Sequence, residues 1–401
     1  MSTHYQILIV GGGNAGISTA AKLLLKKTDL KIGIIEPSEK HYYQPAWTLV
    51  GGGAFDIQKT VRPQAACMPK GATWIKDAVE TFEPEQNQLS CRSGAIYTYD
   101  YLIVAPGIQL DWHKVKGLQE TLGKNGVCSN YLFDQAPHTW EFVRNFKGGT
   151  ALFTSPNTPV KCGGAPQKIM YLASDYWRKQ GLLGKTDVHF YSGGTMLFAV
   201  KKYAETLEKV IKRYGIQEHY YHNLVEIDGA RKIAYFEWKN EAGAVSIVEK
   251  AFDFIHVTPP QSAPDFIKKS PLAMPGNPLG WIDVDKNTLQ HTVYKNIFSC
   301  GDVTNTPNAK TGAAIRKQAP VLVENLLDMM AGKSLEQKYS GYGSCPLITG
   351  YGKLVLAEFD YNNMPMETFP FNQAKERWTM WMLKKKVLPW LYWNKILKGT
   401  A

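Results

Sequence analysis

Apolar residues fall along the chain in short unbroken runs that alternate with stretches of helical spacing. QILIV (6–10) is followed by GGGNAG, by ISTAAKLLLKK, and then by a second run, LKIGIIEP. Unbroken runs predict strands buried on both faces, and the helical spacing between them predicts the crossover helix of a parallel sheet. The order recurs in TALFTSP (150–156), APQKIMYLASDYWRKQ (165–180) and DVHFYSG (187–193). Two such units predict an α/β chain with two Rossmann-like domains. YLIVAPG (101–107) and NIFSCGDVTN (296–305) predict strands that end in tight turns, and KTGAAIRKQAPVLVENLL predicts a helix after the second of them. Since these flank the second unit, one domain is expected to be inserted in the other: 1–112 with 280–335, then 113–279, with a C-terminal segment 336–401.

The glycines give the first unit its chemistry. Gly11, Gly13 and Gly16 spell GxGxxG between strand and helix. The first makes the tight turn, the second lets backbone approach a pyrophosphate, and the third packs helix on strand. Free N–H groups at the helix start then favour phosphate. Glu36, twenty residues after Gly16 at the end of the next strand, can accept hydrogen bonds from an adenosine ribose. The second unit lacks all of this. Its loop, NTPVKCGG, has no GxGxxG, and its second strand ends in Ser192 and Gly193 without an acid. A nicotinamide donor loses both phosphate cradle and ribose anchor there.

Cys162 stands in that loop instead, with Lys161 beside it and Lys168 one turn into the helix. Helix dipole and cations favour a thiolate, which makes this sulfur a nucleophile or redox centre unless it is a buried structural cysteine. Cys345, in YGSCPL, is expected in a turn that presents a reactive sulfur. Cys67, Cys91 and Cys300 read as structural, and the role of Cys128 stays open.

Composition narrows the partners. With 401 residues, 44% of them hydrophobic, the chain can bury two or three cores. The charge surplus, 46 − 35 = 11, suits an anionic partner. No apolar run is long enough to span a bilayer, and MSTHY is expected to lead straight into a strand without a secretory signal. Six scattered cysteines fit no disulfide scaffold or zinc spacing, and His219 and His222 read as surface or core residues, so no metal is expected. The basic surplus gathers in KERWTMWMLKKKVLPWLYWNKILK (375–398), where Trp378, Trp381, Trp390 and Trp393 interleave with lysines on either side of Pro389. Two short amphipathic segments on a lipid surface are expected, and nucleic acid is not, because no recognition module accompanies the charge.

YLIVAPG and NIFSCGDVTN resemble the fingerprints of two-domain FAD proteins of the glutathione-reductase-like arrangement. That resemblance implies that Gly301 and Asp302 meet the ribityl chain, with the helix start at Gly312, and Lys310 beside it, favouring a reduced flavin. More specifically, EPSEKHYYQPAWTLVG, FTSPNTPVKCGGAPQKIMYLA, HVTPP, GWIDVDKNTLQH, SCPLITGYGKLVLAEFDY and the C-terminal block resemble the sulfide:quinone oxidoreductases, in the branch with the mitochondrial enzyme. The resemblance covers essentially the whole chain. It places the family's redox cysteines on Cys162 and Cys345, and its FAD contacts on Asn14, Ala15, Glu36, Gln44, Val79, Asp302, Gly312, Ala313, Ala314 and Ile315. It implies that hydrosulfide attacks a Cys162/Cys345 disulfide, or a version bridged by an extra sulfur, leaving a cysteine persulfide. Two electrons then pass through FAD to ubiquinone or menaquinone, and the sulfane sulfur goes to sulfide, sulfite, cyanide or glutathione. Tyr351, Phe359, Trp390 and Trp393 are expected to line the quinone channel. A peripheral membrane protein is expected, of a bacterial inner membrane or, for a processed chain, of mitochondria. Three other readings stay open: a flavocytochrome c sulfide dehydrogenase, a type II NADH:quinone dehydrogenase lacking its second glycine fingerprint, and a non-enzymatic flavin thiol sensor.

Overall fold

The structure is a computed structural model that describes residues 3–307 and 310–401. QILIV lies inside the strand Thr3–Val10, where Ile7, Leu8 and Ile9 are wholly buried because parallel neighbours cover both sides, helices cover one face and residues of the 263–284 segment cover the other. Ile32–Ile35 pairs with it on one side and Ile96–Val104 on the other. The sheet extends to Ala72–Ile75 at one edge and, through the antiparallel Gln88–Cys91, to Val79–Glu83 at the other. Ile297–Ser299 also joins Ile96–Val104, in parallel, so the NIFSCGD segment returns to the sheet that began the chain. Two helices pack together on this sheet: Asn14–Lys26, and Gly312–Met330, whose start is capped by Thr311 Oγ1 accepting from Ala314 N–H.

A second, wholly parallel sheet runs Val127–Cys128, Phe254–His256, Gly149–Ser155, Thr186–Ser192 and Gln217–His219. Helices Ala165–Lys179 and Lys201–Tyr214 bury their apolar stripes with it. An antiparallel layer, His222–Asp228, Ile233–Lys239 and Val245–Ala251, covers part of the sheet.

Two expectations for the C-terminal segment need correction. Cys345 lies in no turn. It sits inside the strand Gly343–Gly350, paired with Ala357 of Lys353–Phe359 and only 1% exposed. Pro346 is tolerated beside it because the hairpin has two strands and leaves one side of this strand unpaired. Nor does Pro389 split the end of the chain. Trp378–Met382, Leu383–Val387, Leu388–Leu391 and Tyr392–Ile396 form one continuous helical run whose second and fourth stretches have wide turns. Proline has no N–H to give the preceding turn, and widening re-routes those bonds without a break. Burial of Met380, Trp381, Tyr392, Trp393 and Leu397, at about 1.5–3 kcal/mol for each large apolar side chain, anchors the run against the hairpin and the first domain.

Candidate active site

Gly11 takes φ +100°, and a Cβ there would collide with the Ala105 carbonyl and lie 2.8 Å from Pro106 Cα. The turn therefore closes only with glycine. A Gly11→Ala protein is expected to lose at least tenfold in retained flavin, read as the absorbance ratio of purified protein, since left-handed strain of about 1–2 kcal/mol adds to the clash. Beyond Gly11 the cradle is open. A Cβ on Gly13 would meet nothing within 4 Å, the helix at Asn14 has no side-chain cap, and Asn14 Oδ1 is buried without a partner. Free N–H groups beside the open space at Gly13 fit a diphosphate, and the unpartnered Asn14 Oδ1 is an acceptor left for a hydroxyl or N–H donor. Gly16 packs against the Gly11 carbonyl and Ala15 is buried beside them. Glu36 accepts from Gly12 N–H and Ser38 N–H, both at 2.8 Å, so the acid reaches the glycine turn.

The NIFSCGD strand ends over the same region. Gly301 N–H donates to Gln318 Oε1 at 2.9 Å, and Asp302, Thr306, Lys310, Thr311 and Ala314 line a narrow cleft with them. Desolvation raises the Asp302 carboxyl, opposed by the Lys310 and Lys161 ammonium groups. Burial lowers both lysines to about 8, with Asp302 opposing. Lys310 also donates to Thr304 O at 2.8 Å and lies 3.8 Å over the Trp281 ring. Gly312, Ala313, Ala314 and Ile315 form the first turn of the helix that follows. Val79 is buried in the core of the first sheet, and Gln44 is exposed and accepts from Lys161 Nζ.

Cys162 is tied to this cleft by its backbone: its N–H donates to Lys310 O at 2.7 Å. It holds φ +56°, unusual without glycine, and its carbonyl accepts from Ala165 N–H at 2.7 Å where the helix Ala165–Lys179 begins. The hairpin lays Cys345 against that start. The two sulfurs, 183 residues apart in sequence, are 2.9 Å apart and unbonded, and Lys168 Nζ donates to Cys162 Sγ at 2.9 Å. Gly164 makes the approach possible, since a Cβ there would lie 2.8 Å from Cys345 Sγ and run into Leu347. A hydrogen bond from Cys345, with the charge of Lys168, holds the Cys162 thiol well below its ordinary value despite burial. The same bond, with burial, pushes Cys345 well up. Against desolvation, the two sulfurs keep Lys168 above the usual lysine range. The pair is therefore one thiolate, Cys162, and one thiol, Cys345. Lys161, expected beside the thiolate, instead lies against Gln44, Trp47 and Tyr131, because the left-handed turn at Cys162 sends neighbouring side chains apart.

Burial pushes the thiols of Cys67, Cys91, Cys128 and Cys300 up, and Cys128 is wholly enclosed in the core of the second sheet. His219 stacks on Tyr191 and meets His189 at 3.0 Å. The four aromatic residues expected around quinone do not come together. Phe359 is buried in the second-sheet core, Tyr351 packs against Trp381, Trp393 lies against His41 and Arg62, and Trp390 is 54% exposed. The expected segments place these aromatics on one surface, but the continuous helix turns Trp393 inward and Trp390 outward. One residue goes unmarked in the sequence: Lys384, inside the KKK run of the C-terminal helix, is buried near the thiols.

A dinucleotide cradle joined by backbone to a half-buried thiolate and a buried thiol defines a flavin-dependent dithiol oxidoreductase of the two-domain α/β class. Residues 5–141 match the pyridine nucleotide-disulphide oxidoreductase family. The chain is 49% identical to the mitochondrial sulfide:quinone oxidoreductase of Dictyostelium discoideum, over 98% of this chain and 86% of that one. It is 45% identical to the mitochondrial sulfide:quinone oxidoreductase of Mus musculus, over 99% and 87% respectively. The fold superposes on the sulfide:quinone oxidoreductase of Aquifex aeolicus with a TM-score of 0.83 at 20% identity, covering 100% of this chain and 93% of that one. The chain belongs to the sulfide:quinone oxidoreductase family and is an FAD-dependent enzyme.

Proposed function

We propose that Cys162 and Cys345 are the sulfur-exchange pair through which this enzyme oxidises sulfide. The contact of the two sulfurs with Lys168 is the observation that carries the reading. In the oxidised pair, hydrosulfide adds to the sulfur of Cys345 and the bond between the two cysteines breaks. Cys345 is left as a persulfide and Cys162 departs as a thiolate, so one negative charge enters and one appears. That order follows from leaving-group strength, because the more acidic thiol leaves faster and Lys168 stabilises its anion. A nucleophilic acceptor, which we take to be sulfide, sulfite, cyanide or glutathione, removes the terminal sulfur and returns Cys345 as a thiolate. Bound FAD supplies the two-electron relay from the thiol pair to quinone. For its binding we assign Gly11, Gly13, Asn14, Ala15, Gly16, Glu36, Gln44, Val79, Gly301, Asp302, Lys310 and the turn Gly312–Ile315, in a domain of residues 1–112 and 280–335. Residues 113–279 and 336–401 then supply one thiol each.

The C-terminal run supports attachment to a lipid surface. Trp378 is 63% exposed, Trp390 and Val387 also project outward, and Lys386, Lys395 and Lys398 are exposed among them. No helix among the described residues is long and apolar enough to cross a membrane. We place the protein peripherally on a mitochondrial membrane, in line with the two relatives above, which give the expected bacterial location no support. Of the four aromatic residues first considered, Tyr351, beside Trp381 on that helix, is the one we assign to quinone. A Trp378→Ser, Trp390→Ser protein is expected to partition about tenfold less onto anionic vesicles in a flotation assay while reducing a soluble quinone analogue normally. Unchanged flotation would contradict the attachment. Sulfide-dependent quinone reduction, assayed with each acceptor and with NADH in place of sulfide, tests the activity: sulfide supports turnover and NADH does not.

A further inference from the structure

Lys384 is 5% exposed, yet its ammonium has no hydrogen bond and no carboxylate to pair with among the described residues. It comes from the wide-turned stretch Leu383–Val387, a geometry that recurs at functional sites. Helix packing shows where it points. Met380 and Trp381 pack with Leu172 and with Ile348 and Leu354 of the Cys345 hairpin. Lys384 follows Met380 by four residues and Lys168 precedes Leu172 by four, so each lysine lies one helical turn from a member of that shared cluster. The charged and titratable groups facing Lys384 are Lys168 from the helix, Cys162 from the loop and Cys345 from the strand. Lys168 already has the Cys162 thiolate. The second cation has no anion of its own, and burying a charge unpaired is costly.

We propose that Lys384 is a catalytic residue of sulfide oxidation: its amine takes one proton from hydrogen sulfide and holds the resulting hydrosulfide against the Cys345 sulfur. The proposal rests on the reading of Cys162 and Cys345 as the exchange pair. A proton moves from H2S to Nζ, a sulfur lone pair forms the new bond to Cys345, and the electrons of the broken disulfide bond leave on Cys162 beside Lys168. The incoming sulfur is oxidised and the disulfide reduced, while the second hydrogen stays on the persulfide. Burial, with the charge of Lys168, lowers Lys384 to about 7 against the opposing pull of the two sulfurs, so amine and ammonium coexist near neutral pH. Hydrogen sulfide also first ionises near neutrality, so the productive pair, amine with H2S, is most abundant there and falls away on both sides.

Stopped-flow bleaching of flavin at fixed total sulfide across pH tests this in the flavin-loaded protein. The wild-type rate is expected to rise and then fall, with its maximum near neutrality. Lys384→Met should be at least tenfold slower at pH 7 and rise steadily with the hydrosulfide fraction. Lys384→Arg keeps the charge but takes up no proton, so its rate should also rise without the fall at high pH. The thermal midpoint of Lys384→Met should equal or exceed wild type, because methionine fills the space without a desolvated charge. Should that variant melt early, the shape of the arginine profile decides. A bell-shaped profile of wild-type height in Lys384→Met, or a bell retained in Lys384→Arg, overturns the proposal. Cys345→Ser separates the two readings. If it bleaches at the wild-type rate, the exchange pair itself is wrong; if it is inactive while the lysine variants match wild type, only the role of Lys384 falls.

Discussion

Cys162→Ser is expected to lower the rate of sulfide-driven flavin reduction by about a thousandfold or more, and Cys345→Ser to do the same. Each residue supplies one end of the bond that hydrosulfide opens, and a serine oxygen neither forms that bond nor leaves from it. The side chains are near-isosteric, and both sites already hold a sulfur in a hydrogen bond, half-buried at Cys162 and buried at Cys345, so flavin content should be unchanged. The double variant should be no slower than either single one, because the two thiols act as one unit. Cys128→Ser is the control. Its thiol is enclosed in the core of the second sheet and pushed up by desolvation, so its loss should leave the rate within about twofold.

Lys168→Met should shift the working pH range upward. In the native protein the hydrogen bond from Cys345 and the Lys168 charge depress Cys162, so the thiolate is present at neutral pH. Removing the cation leaves burial opposing only the hydrogen bond and the more distant Lys384, and the thiolate then forms at higher pH. Sulfide-driven bleaching at pH 7 should fall about 10–100-fold, the equivalent of one to two pKa units, and recover as pH rises. Alkylation of Cys162 by iodoacetamide in the reduced protein should show the same upward displacement. The sign is fixed: stabilisation of an anion is lost, so the curve cannot move to lower pH. Lys161→Met offers the contrast, because its side chain turns to Gln44 and Asp302 and should leave thiol reactivity in place.

How far the sequence disclosed this arrangement depended on how local each determinant is. The strand at 6–10, the glycine turn and the helix after it were legible because each requires particular residues at adjacent positions. Cys162 with Lys168 was legible for the same reason: six residues spanning a helix start bring a lysine over a thiol. The partner was harder. The motif alone named Cys345, and its surroundings misled, because glycine, serine and proline around a cysteine read as a turn when the pairing that makes a strand lies in 353–359. Lys384 was not legible at all. Three consecutive lysines among tryptophans read as a lipid-facing surface, and only the tertiary packing of the helix buries one of them near the thiols. The side chains proposed for quinone failed to gather for a related reason. Aromatic identity marks burial or an interface equally well, and tertiary contacts decide which.

Mass spectrometry of linked and alkylated peptides tests the central claim most directly. In the oxidised, flavin-loaded protein, digestion without reductant should yield a peptide containing Cys162 joined to one containing Cys345, directly or through one added sulfur. One equivalent of sulfide under argon, followed by alkylation, should dissolve that link: a direct disulfide leaves Cys162 alkylated as a thiol and Cys345 carrying one extra sulfur, and a sulfur-bridged link leaves two extra sulfurs over the two residues. Free, alkylatable cysteines at both positions before and throughout turnover would contradict the account.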